Sequence, residues 1–229
     1  MSLKIINGNL FTSNCQTLVN TVNCVGVMGA GISLEFRLRY PEMYARYVKI
    51  CEQNLMEIGK LWLYKSVQHW VLNFPTKQHW KKPSKLEFLE LGLQKFVDTY
   101  IEKDIISIAF PLLGTQNGGI PQRESLEIMK RYLGECELPI EIYIYDPNAP
   151  DDIFSDLKSV FLSLSDREII EVTSLGTAYI QKVKQAMQDE SICNLSKFLS
   201  TKGIGITTVQ KSLLLLQKFY PTILPNTSQ

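Results

Sequence analysis

The fold class predicted by this chain is an α/β domain followed by a small helical region, and three observations predict it. Two apolar, β-branched runs, Thr17 to Val22 and Ile105 to Phe110, each lead into a glycine-spaced turn and then into a helical pattern. Strand-like and helix-like segments alternate over roughly the first 150 residues. Beyond Ser165 no convincing strand pattern remains. Continuous apolar runs of this length fit strands buried on both faces. Two strand–loop–helix units in one domain can bring their loops together at the carboxyl ends of neighbouring strands.

Taken in order, Leu3 to Ile6 reads as a first strand that ends at the turn signal Asn7-Gly8-Asn9. The strand Thr17 to Val22 passes through Gly26, Gly29 and Gly31 into a helix that runs from Ile32 to a break at Pro41. Glu42 to Met56 has helical composition and should end near Gly59. Leu61 to Tyr64 and Trp70 to Phe74 form a hairpin around Lys65 to His69, with Trp62 and Trp70 packing on the sheet. Ser84 is placed to cap the next helix, with Glu87 in the capping-box position. That helix, Leu86 to Tyr100, turns Phe88, Leu89, Leu91, Leu93, Phe96 and Val97 inward. The second glycine loop, Phe110 to Pro121, leads into a helix from near Pro121 to Leu133, and Ile140 to Tyr145 alternates as a strand. Asp151 to Leu164 reads as a last helix packed on this domain, whose extent is set at residues 1–155. Residues 165–229 hold three helical patterns: Ala178 to Met187, Ile192 to Leu199 and Thr207 to Phe219. Such a region is a helix–turn–helix-like module, or a helical cap or oligomerisation element.

Composition narrows the function. Lys and Arg number 24 against 23 Asp and Glu, so no global positive field holds duplex DNA and any nucleic-acid contact is local. Five scattered cysteines without a Cys-x-x-Cys pair, and only two histidines, argue against a zinc site or a disulfide framework. Free thiols in a reducing cytoplasm are the expectation, with no metal and no cofactor. The start of the chain lacks a signal peptide's apolar core, and Leu213 to Leu216 is too short to span a bilayer.

The two glycine loops read as a phosphate cradle, because glycines permit positive φ and let backbone N–H groups approach an anion at a helix N-terminus. Neither loop has the spacing of a P-loop or of a dinucleotide fingerprint. Between them, Pro75 to Lys85 places four lysines, His79 and Trp80 in eleven residues. Trp80 offers a stacking surface among charges, which makes His79, Trp80, Lys81 and Lys82 candidates for DNA contact. Paired carboxylates, a Ser-His-Asp order and a metal cluster are lacking in the sequence. The reactive candidate is Lys77, whose ammonium, partly desolvated at a strand end, suits nucleophilic or acid/base work; an ordinary phosphate-binding lysine is the alternative.

Three ordered motifs carry a family resemblance over about residues 1–150: Asn20-Thr21-Val22-Asn23 with Met28 to Ile32, Phe36 and Tyr40-Pro41; Asn73 to Trp80 with Pro83-Ser84; and Pro111 to Gly114 with Asn117 to Ile120. The chain resembles macrodomains, and among them the DarG antitoxins, with the human terminal ADP-ribose glycohydrolase more distant. The resemblance implies a three-layer α-β-α sandwich with a mixed sheet. It implies binding of ADP-ribose by Asn9, Leu10, Asn20, Met28, Gly29, Ala30, Gly31, Ile32, Thr76, Leu113, Gly114, Thr115, Gln116, Asn117, Gly118, Gly119 and Ile120. It implies removal of ADP-ribose from thymidine in single-stranded DNA, reversing a DarT-like toxin, with Lys77 as the critical residue and Asn23 orienting the distal ribose. Asn9 stands where family members commonly carry an aspartate that accepts from the adenine amino group, a role its amide oxygen can fill. The acidic partner of the human relative's lysine has no counterpart between Gly114 and Ile120; Glu124 and Asp104 are the nearest acids. A catalytically silent ADP-ribose reader, a hydrolase acting on modified protein, and an antitoxin acting by direct contact remain alternatives.

Overall fold

The computed structural model describes residues 3–221 and divides between Tyr145 and Asp146 into two compact units. In the first, six strands form one sheet in the order β1-β6-β5-β2-β4-β3: β1 Leu3–Gly8, β2 Thr17–Asn23, β3 Trp62–Tyr64, β4 Trp70–Lys77, β5 Ile108–Pro111 and β6 Ile140–Tyr145. All neighbours are parallel except β3, which pairs antiparallel with β4 as the hairpin signal requires.

Period-two alternation along the central strands sends side chains into two cores. Val19 of β2 and Leu72 and Phe74 of β4 pack against Leu89, Leu93 and Phe96 of α3 (Leu86–Thr99) and Met129 and Leu133 of α4 (Gln122–Leu133). Leu18, Val22 and Val71 face the other way, toward Phe36 of α1 (Gly31–Arg39) and Met43 and Tyr47 of α2 (Pro41–Glu52). The result is the expected three layers with a mixed central sheet.

Several element boundaries differ from the sequence expectation. α2 stops at Glu52, short of Met56, because Asn54 takes a left-handed φ of 55°. β5 begins only at Ile108; Ile106 is 69% exposed, and the Ser107 hydroxyl accepts from the Gln16 backbone N–H at 2.8 Å, fixing this stretch as a loop at the start of β2. Ser84 does not cap α3, whose N-cap is Lys85 without a side-chain hydrogen bond. Leu91 is exposed and lies beside the Gly59 turn instead of entering the core.

The second unit contains α5 (Phe154–Ser163), α6 (Asp166–Thr173), α7 (Thr177–Gln188), α8 (Leu195–Leu199) and α9 (Ile206–Phe219). The helix expected to close the first domain, α5, instead packs on α9 and α7, because Leu157 and Phe161 are buried among the apolar helices of this unit. α6 had no counterpart in the sequence reading. Its start is a capping box in which Ser165 accepts from the Glu168 N–H and the Glu168 side chain reaches back.

Candidate functional site

The expected pieces of the site converge at the carboxyl ends of β2, β4 and β5. The β2–β4 register shifts between Val22 and Asn23, so that Val22 pairs with Pro75 and Asn23 with Lys77, leaving Thr76 as the extra residue. A bulge of this kind re-aims the side chains that follow it. Asn23 thereby reaches the first glycine loop: its Oδ1 accepts from the N–H groups of Val25 (3.0 Å) and Val27 (3.3 Å), and its Nδ2 donates to the Val27 carbonyl at 2.5 Å. The hydroxyl of Tyr47, a fully buried residue of α2, donates to the Asn23 carbonyl at 2.6 Å, and burial raises its pKa. Asn23 therefore shapes the loop first, with one amide N–H left over for a sugar hydroxyl.

Gly29, Ala30 and Gly31 are exposed, and Ala30 as N-cap gives no side-chain acceptor to the first amides of α1. An anion is the natural partner of such amides. Gly31 has φ +59° and Gly26 φ +79°, whereas Gly29 has no positive φ, so only two of the three glycines serve the turn by their conformation. Within the second loop the chain makes a 3-10 turn at Gln116–Gly118 and then takes a left-handed φ of 82° at Gly119. The Ser84 N–H donates to the Gly118 carbonyl at 2.9 Å, while the buried Ser84 hydroxyl has no partner and lies 2.6 Å from where a Gly118 Cβ would sit. Ser84 is thus a post beneath this loop. The two loops meet: a Cβ on Gly31 would sit 2.9 Å from Asn117 Nδ2.

Lys77 ends β4 beneath this meeting point. Its ammonium donates to the Asn117 carbonyl and, at 3.4 Å, to the Trp80 carbonyl, and burial lowers its pKa below the ordinary lysine value. The two acids nearest the loop in sequence take different places. Asp104 lies toward the opposite, amino-terminal end of the strands, where its carbonyl accepts from Gln16 Nε2 before β2 begins, and its carboxylate is 3.8 Å from Lys65. Glu124 is exposed in the first turn of α4. Beyond Lys77, His79 stacks on Trp80 with ring centroids 5.8 Å apart, Lys81 lies 5.0 Å above the Trp80 ring, and Trp80 is 48% exposed, an aromatic plate with a cation beside it. Lys82 is exposed next to it.

The other residues expected to bind ligand differ in exposure. Leu10, Asn20, Met28, Thr76 and Leu113 are buried; Asn20 Nδ2 donates to Asn73 Oδ1 at 2.9 Å, and its Oδ1 has no partner. Gly114 and Ile120 close the base of the second loop through the Ile120 N–H, which donates to the Gly114 carbonyl at 3.0 Å, and Thr115 donates to the Leu112 carbonyl at 3.1 Å. Ile32 is half-buried, while Gln116 and Gly119 are exposed. Asn9 already uses part of its amide: its Oδ1 accepts from the Phe11 N–H at 3.1 Å, and its buried donor Nδ2 has no partner. Tyr47 was missed as a site residue because the Met43, Tyr47, Cys51 spacing reads only as a core face. Among the described residues no His, Cys, Asp or Glu cluster fits a metal, and no helix is long and apolar enough to cross a membrane.

The family model for the Macro domain matches residues 19–129. A Mycobacterium tuberculosis protein named DNA ADP-ribosyl glycohydrolase is 45% identical over 171 residues, covering 72% of this chain and 48% of that relative. The chain thus spans about half the length of that relative. The solved macrodomain of Mycobacterium tuberculosis DarG matches with a TM-score of 0.60 and 38% identity, over 62% of this chain and 96% of that one. Thermosipho africanus DarTG, solved in complex with ADP-ribose, matches with a TM-score of 0.60 and 36% identity, over 63% of this chain and 42% of that one.

Proposed function

Because the chain belongs to the Macro domain family, we propose that it is an ADP-ribosyl glycohydrolase that removes ADP-ribose from a nucleobase, thymidine, of single-stranded DNA. The observation that carries this reading is Lys77, set where the two glycine loops meet and held by two backbone carbonyls. The uncapped N-terminus of α1 and the second loop hold the diphosphate, Asn23 orders the loop around the distal ribose, and the Trp80 plate stacks on the DNA strand.

Hydrolysis consumes one water, breaks the bond between C1″ and the base, and returns the proton to the base. As a neutral amine, Lys77 attacks C1″, the base leaves with a proton, and water then displaces the lysine to release ADP-ribose. As an ammonium, Lys77 gives its proton to the departing base while water attacks. Desolvation, which lowers the Lys77 pKa, assists the first course, and the two carbonyls that hold the ammonium assist the second; the first requires a rate that rises with pH through a value below that of an ordinary lysine. The second requires a rate that falls.

Residues 1–145 would carry this activity, acting in the cytoplasm on the product of a DarT-like transferase; a Thermosipho africanus relative is named a DNA ADP-ribosyl transferase–DNA ADP-ribosyl glycohydrolase fusion protein. Release of ADP-ribose is measured from modified single-stranded DNA, with ADP-ribosylated protein as the control. Release from the DNA alone is expected. Binding of ADP-ribose without release makes the protein a reader, and release only from protein moves the substrate.

A further inference from the structure

The second unit contains a cavity of about 630 Å³ between the α6–α7 turn and the start of α9. Two helices begin in its wall, α7 after Gly176 and α9 after Gly205, and neither has a side-chain cap. Neither glycine is required by the backbone: φ is −71° at Gly176 and −94° at Gly205, and a Cβ on either would meet nothing within 4 Å. A capping Ser or Asp would fit, yet the first amides of both helices are left to an outside acceptor.

A second feature points the same way. Thr208 lines the cavity, is only 6% exposed, and its hydroxyl makes no hydrogen bond to any described residue. That hydroxyl is still reached by solvent, so it can donate to an acceptor that the cavity receives. The charge of that partner follows from the wall. Lys211 reaches it, spending one of its three N–H groups on the Ser174 carbonyl at 2.9 Å, and no acidic residue lines the cavity. From Ser191 to the end of the sequence there are four lysines and no Asp or Glu.

We propose that this cavity binds a backbone phosphate of a single-stranded nucleic acid, held by the amides at the starts of α7 and α9, the Thr208 hydroxyl and the Lys211 ammonium. Contacts of this type position a strand without reading its sequence. The choice of a strand over free phosphate rests on the DNA substrate proposed above; the phosphate chemistry does not. Exposed Tyr179 on the same wall supplies an aromatic face for an adjoining base.

The test uses the full chain with Trp80→Ala, which removes the strand contact proposed for the first unit, and an unmodified, fluorescently labelled oligothymidylate, which lacks ADP-ribose. Gly205→Asp places a carboxylate where the phosphate would sit and also caps α9, so it should weaken oligonucleotide binding at least about tenfold while the melting temperature holds or rises. Lys211→Gln should weaken binding by a similar factor and flatten its salt dependence. ADP-ribose affinity should be unchanged in both. Unaltered oligonucleotide affinity in both variants, or a Trp80→Ala chain that binds no oligonucleotide, overturns the proposal. Inorganic phosphate shifting the amide resonances of Ile206 and Thr207 where the oligonucleotide shifts none would leave free phosphate as the ligand and likewise overturn it. Glycohydrolase activity is scored separately, so its failure leaves this result readable.

Discussion

Replacing Gly118 by alanine tests the second glycine loop by steric means alone. Gly118 has no positive φ, so alanine brings no backbone strain, but its Cβ would lie 2.6 Å from Ser84 Oγ and 3.2 Å from Ser84 Cβ. Carbon and oxygen do not approach so closely without a bond; the hydroxyl can rotate away, but the Ser84 Cβ is fixed by a buried backbone tied to the loop through its own N–H, so the loop gives way there. Overpacking of this kind costs about 1–3 kcal/mol. Because Asn117, the residue before it, supplies a carbonyl that holds Lys77, the displacement reaches the reactive amine. ADP-ribose affinity measured by calorimetry should fall by about fivefold or more, roughly 1 kcal/mol. Ser84→Gly removes both clashing atoms, and the hydroxyl it deletes has no hydrogen bond to lose. The double variant should therefore recover affinity, with a coupling of about 1 kcal/mol or more. Full affinity in Gly118→Ala, or no recovery in the double variant, would refute the contact between Ser84 and the loop.

Further perturbations separate the remaining parts. Gly31→Val forces a β-branched residue to φ +59° and toward Asn117 Nδ2, so ADP-ribose binding should weaken by at least about tenfold while the far-ultraviolet circular dichroism spectrum is kept. Trp80→Ala removes the exposed plate; affinity for the modified strand should drop by about 1–3 kcal/mol while free ADP-ribose binds as before, and equal losses for both ligands would place Trp80 in the sugar–nucleotide pocket. The thiol of Cys24 is pushed up to about 11, by burial first and then by Cys51 and Glu57. Alkylation of Cys24 by iodoacetamide should be slow at neutral pH and climb toward that value, since only the thiolate reacts.

What the sequence made legible is what local chemistry determines. The β-branched run at Thr17 to Val22, the hairpin signal around Lys65 to His69 and the glycine-spaced loops each specify their element without help from distant residues, and the elements follow them. Long-range partners were not legible. Ser84 has the sequence context of a helix cap, yet its place is set by Gly118, which lies far along the chain. Leu157 and Phe161 of α5 carry the same amphipathic pattern whichever unit they join, and only the packing of α9 decides. Asn9 and Asn23 illustrate a finer limit. Both stand at positions expected to touch ligand, but each amide is first used by nearby backbone, Phe11 for one and Val25 and Val27 for the other. Such short-range competition depends on φ and ψ, which residue names alone do not convey.

The central claim is that Lys77 acts on the bond between ribose and base, and Lys77→Ala tests it most directly. Single-turnover release of ADP-ribose from modified single-stranded DNA is measured beside calorimetric binding of free ADP-ribose. Loss of an interaction made chiefly in the transition state should lower turnover at least about a hundredfold, roughly 2.7 kcal/mol, with binding changed far less. Near-normal turnover would contradict the account and remove Lys77 from the mechanism, and a parallel loss of binding and turnover would contradict it by leaving Lys77 as a positioning residue.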